Sequence, residues 1–191
     1  MSNGINSSLS NSLGNYAYAS VQMSAPAFGT TTDISGYSST QLSALSVSQI
    51  SGLTGTQAAA ITTSALAGLT AKQIQGLNNS NLATLTTSQI AALSADQLNS
   101  LRPSQISALT STQVNALTST QLSGLRASQV SAFNSQRMAS VSTGVLKNLT
   151  TSQIQALTTN QIIGLIDTQL AALGTAQIAG MKASQIKAIE T

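Results

Sequence analysis

Large apolar residues recur at two places in every eight, five apart and then three, as Leu149, Ile154, Leu157, Ile162 and Leu165 show. Polar residues fill the longer gap, Thr150-Thr151-Ser152-Gln153, and a polar and a small residue fill the shorter, Gln155-Ala156. Written T-x-x-Q-I-x-A-L, this frame runs without a slip from Thr30 to Ile189, 20 octads in all, so the chain reads as a repeat array rather than a domain around one core. Only Ala58 interrupts the first apolar column. The opening octad is the most altered, with Asp33 in place of Gln and Tyr37 in place of Leu.

Each octad carries a helix-start signal. Its first residue is Ser or Thr in 13 of 20 cases, Asn at 78 and 134 and Gly at 174, which are the residues that cap helix N-termini. Gln three positions later can return a hydrogen bond to the cap residue's own N–H, completing a capping box. The Leu before the cap and the Ile after the Gln hold the two positions of a hydrophobic staple. Pro103 falls at a first helical position, where a missing N–H costs nothing. Gly or Ala holds the seventh position in 16 of 20 octads, as expected where a chain bends or packs closely.

One continuous helix fails on geometry, because eight residues at about 100° each rotate the apolar pair by roughly 80° per octad. The stripe would spiral around the rod and could not be buried. The expected fold is therefore a mainly α repeat solenoid, a superhelix of short capped helices with one helix per octad. The alternative is a β-solenoid with two or three octads per coil and Gln ladders along an edge. Against it, the fifth and eighth positions of a strand would face opposite ways, and Leu, Ala and Gln favour helix.

Two stretches depart from the pattern. Residues 1–29 form a separate N-terminal segment, in which Ile5, Leu9 and Leu13 sit four apart and Tyr16, Ala17 and Val21 continue that side, the spacing of a weak amphipathic helix. Pro26 ends that pattern, and residues 30–191 are the octad array. At Asn134 to Leu149, Arg137 and Val145 replace Gln in two successive octads, which reads as drift in a tolerant repeat, with a functional kink as the alternative.

Composition narrows the function. Only 6% of residues are charged and 3% aromatic, and Lys72, Arg102, Arg126, Arg137, Lys147, Lys182 and Lys187 never form a run, so the net charge of +3 makes no nucleic-acid footprint. With no His, no Cys and only Asp33, Asp96, Asp167 and Glu190 as acids, no His-based triad or thiolate nucleophile can form. Accordingly no enzyme, catalytic residue, cofactor or metal is expected, and no small-molecule ligand. No apolar run reaches the roughly 18 residues of a membrane span, and the first residues lack a secretory signal's basic start and apolar stretch.

The units LTTSQIQAL, LTSTQVNAL and LRPSQISAL resemble the LTxxQ(I/V)xAL octad runs of some bacterial surface or secreted proteins, over about five-sixths of the chain. The resemblance implies an extracellular or cell-surface location, reached here by a route independent of a signal peptide. LRPSQISAL is also similar to the opening helix of a TAL-effector repeat, but the second helix and base-reading loop of that family are absent. No DNA-binding residues carry over.

The expected function is structural: a subunit that polymerises with copies of itself, head to tail, into a thin extracellular filament. The last octad, Lys182 to Ile189, is unmodified, so its outer face, with Ile186 and Ile189, is expected to accept Ile5, Leu9, Leu13, Tyr16 and Tyr18 of the next subunit. The alternative is a monomeric adhesin, stalk or binding module that displays Ser and Thr toward ice or carbohydrate.

Overall fold

The computed structural model describes residues 33–190. Among the described residues every element is a helix: 19 of them, from Ser39–Ser43 to Ala183–Ile189, each four to seven residues long. The α-solenoid expectation holds and the β alternative is excluded. The described part of the opening octad makes a turn instead, closed by Tyr37 N–H donating to the Ile34 carbonyl at 3.0 Å.

The helices start where the capping signals stand. At Thr150 the side-chain oxygen accepts the Gln153 N–H at 3.3 Å, while Gln153 Oε1 accepts the Thr150 N–H at 2.7 Å. Pro103 takes the first helical position of its helix. Each short helix ends because the eighth residue and the next cap are both extended. Leu157 has φ −61° and ψ 137°, and Thr158 has φ −73° and ψ 159°. Two such residues in succession turn the chain, and no glycine among the described residues has a positive φ.

Three octads complete one coil. Helices 24 residues apart pack on each other, as Ser39–Ser43 does on Thr63–Ala67 and Ala71–Gly76 on Ala95–Ser100. The coil thus has three sides, each a short helix, and three corners. The fifth and eighth columns point inward and form one continuous seam from Ile34 to Leu173. Ala58, the break in the column, is fully buried there as well.

Small seventh residues are explained by stacking. A Cβ added to Gly180 would lie 2.1 Å from Thr151 Cγ2, and one added to Gly76 would lie 2.7 Å from Val47 Cγ1. In both cases the neighbour is the second residue of an octad in the coil before. Two of the three described seventh-position hydroxyls bond to that same place, Ser100 Oγ donating to the Ala71 carbonyl at 3.0 Å and Thr84 Oγ1 to the Gly55 carbonyl at 3.1 Å, whereas Ser140 Oγ donates within its own helix to the Gln136 carbonyl at 3.2 Å.

Candidate assembly surface

The recurrent geometry of the molecule is the corner. Gln153 illustrates it: besides closing its own cap, it donates through Nε2 to the carbonyls of Leu122 and Leu125, both at 2.7 Å, in the coil before. Gln73 makes the same bridge to Leu42, Ser43 and Leu45, and Gln89 to Ala58, Ala59 and Ile61. Gln161 joins Val130, Ser131 and Phe133 in this way. The side chain is a two-ended tie, an acceptor toward its own helix start and a donor toward the corner beneath. Because these amides are buried, both ends of the tie replace water that cannot reach them.

The tie outlasts the cap. Arg102, Arg126, Ile166, Gly174 and Lys182 offer no side-chain acceptor at the first position. Even so, Gln105 accepts the Arg102 N–H at 2.9 Å, Gln169 the Ile166 N–H at 2.9 Å, and Gln185 the Lys182 N–H at 2.9 Å. At Asn81 a shorter amide keeps the interlayer half alone, donating to the Leu53 carbonyl at 2.9 Å.

Of the residues expected at an assembly contact, Ile186 is half-buried and Ile189 is 42% exposed, both in the last helix. Ile5, Leu9, Leu13, Tyr16 and Tyr18 lie outside the described residues. Four apolar residues that sequence reasoning did not single out are more exposed than Ile189: Ile163 at 59%, Ile166 at 55%, Ile178 at 47% and Val47 at 44%. Ile163 and Ile166 had a legible signal. Each is the one large aliphatic residue in a column that otherwise holds small, polar or charged side chains.

Little else converges on a point. An open hollow is lined by Asn78, Asn79, Ser80, Arg102, Ser104 and Gln105, with the Arg102 guanidinium its one charge. No group of three potential metal ligands occurs among the described residues, and no described helix is long and apolar enough to cross a membrane. The Asp33 carboxyl is held below its usual value because its Oδ1 accepts the Ser35 N–H at 2.9 Å.

Fold and corners together define a helical repeat protein, a solenoid of three octads per coil. A family model described as the ALTTAQ repeat matches residues 77–111, a stretch that contains the run Leu85-Thr86-Thr87-Ser88-Gln89 from junction through cap to tie. No curated protein matches the chain.

Proposed function

We propose that the protein is a structural subunit that assembles head to tail with copies of itself into a thin filament, at the cell surface or outside the cell. The observation that carries the reading is the self-complementarity of the coil. Each coil offers carbonyls at its corners on one side and Gln Nε2 donors on the other, so one coil fits any other of its kind. A contact of that type is heterologous, and it propagates unless the rotation closes a ring. Exposed Ile178 and Ile189 near one end of the described solenoid add apolar surface to the same contact. The N-terminal segment, residues 1–29, is assigned the role of covering this surface on the next subunit. No catalytic role is proposed.

The test is negative-stain microscopy with light scattering on the purified full-length chain across a range of concentrations. Thin unbranched filaments that lengthen with concentration are expected, and deletion of residues 1–29 is expected to leave a soluble helical monomer. Single short rods at every concentration would sink the filament. One observation favours a second reading in that case: Thr56, Ser80, Ser104, Ser128 and Ser152 are exposed and spaced one coil apart on a single side, as a binding module would need.

A further inference from the structure

Two of the three corners in the coil of residues 134–157 lack the Gln tie. At the first, Arg137 takes its place, and its Nη1 donates to the Ser107 carbonyl alone. At the second, the Val145 side chain can neither donate nor accept. Among the described residues no side chain from the coil above reaches the carbonyls of Val114, Asn115 and Leu117, the three that a Gln at 145 would hold.

The repair comes from below and is solvated. Asn115 reaches up from the preceding coil: its Oδ1 accepts the Ser142 N–H at 2.8 Å and its Nδ2 donates to the Ser140 carbonyl at 3.0 Å, both on the exposed surface. Water competes for exposed bonds of this kind, whereas it cannot compete for the buried amide of a regular corner.

Packing points to the same place independently. The helix Ser111–Asn115 stacks beneath Ser135–Ala139, and Ser119–Gly124 beneath Thr143–Lys147. Among the described helices, these two pairs come together over less of their length than any other pair one coil apart. Missing ties and loose stacking therefore coincide at one boundary. By contrast, Ala65 also lacks the tie, but the helices at that corner remain well stacked on Ser39–Ser43.

We infer that this boundary is a built-in yield seam, at which the solenoid parts first while the coils on either side stay folded. In a linear array, stability is a sum of repeat terms and nearest-neighbour interface terms, so opening is localised at the weakest interface. Releasing the two octads 134–149 also breaks the ties that Gln169 and Gln177 of the coil above make to Met138, Val141, Leu146 and Leu149, and frees up to about 50 Å of extended chain at roughly 3.3 Å per residue. The seam gives a rod a place to lengthen under load without losing its ends. This inference does not depend on whether the protein forms filaments.

Hydrogen–deuterium exchange of the full-length chain, read by mass spectrometry under native conditions, tests it. Amides of Ser135–Ala139 and Thr143–Lys147 are expected to exchange at least tenfold faster than those of the interior helices Thr87–Ala92 and Ala95–Ser100. The double variant R137Q/V145Q is expected to bring them to the common rate. Uniform protection across the interior helices of the natural chain overturns the inference whatever the variant does. Fast exchange at the seam that persists in a folded variant also overturns it, since the missing ties would not be the cause.

Discussion

Replacing Gln153 by Ala removes three hydrogen bonds: one to the Thr150 N–H and two that satisfy the Leu122 and Leu125 carbonyls. The carbonyl bonds are buried, so their loss leaves acceptors without water, and the cost is expected at about 2–4 kcal/mol. Among the described residues Gln41 bonds only within its own cap, to Ser38, and Gln41→Ala is expected to cost about 1 kcal/mol. Urea midpoints of the two variants measure the difference, and equal losses would mean that the interlayer bridge contributes nothing. Asn99 supplies the opposite case. Its Oδ1 is buried without a partner among the described residues, in a column where Ala83, Ala91 and Ala139 stand elsewhere. Asn99→Ala is therefore expected to leave stability unchanged or to raise it by up to about 1 kcal/mol. A clear fall in the midpoint would reveal a bond that this geometry lacks.

Among the elements, the seventh position sets how closely helices stack. Gly180→Ala places a methyl group against Thr151 and is expected to cost about 1–3 kcal/mol, as overpacking does. Ser152→Ala, on the exposed side of the helix Thr151–Ala156, is expected to stay within about 0.5 kcal/mol. Thermal midpoints of both decide it, and equal tolerance would detach the small residue from packing. Most of the helix itself was legible in sequence, because cap, Gln return bond and staple all act within one octad. The reason for the small seventh residue was half legible: bending and close packing were both open, and the extended eighth and first residues now account for the bend. The second function of Gln was not legible. Its carbonyl partners lie 28 to 31 residues away, and a period of eight gives no sign of how many octads close a coil. Nor could the sequence distinguish drift at Arg137 and Val145 from a seam, because the compensating Asn115 belongs to another coil. Exposed Ile178 escaped for the same reason, since it sits in an ordinary core column and only its place in the described coils leaves it uncovered.

For the whole molecule, electrostatics has little to act on. With 6% charged residues, no His and no Cys, no side chain has an ordinary pKa between pH 5 and 8, and the thermal midpoint is expected to be flat across that range. The sign at low pH follows from Asp33. Its carboxyl is held below 3.8 in the folded chain, so its contribution is present above that value and is lost as pH falls through the lowered one. Circular dichroism melts from pH 3 to pH 8 check this, and a slope between pH 5 and 8 would contradict it. Raising salt from about 50 to 500 mM is likewise expected to leave the midpoint nearly unchanged, because few charges are there to be screened.

Three octads to a coil also set a rule for how such a chain can change length. Adding or removing one octad preserves every cap and every tie, yet it swings all that follows by about a third of a revolution about the long axis. The hydroxyl row Thr56, Ser80, Ser104, Ser128 and Ser152 would then be broken between two sides of the rod. Removing 24 residues shortens the rod and keeps its sides in phase. Duplication and loss thus act on this molecule like a ratchet with three teeth, in which single steps redraw the surface and triple steps alter only its span.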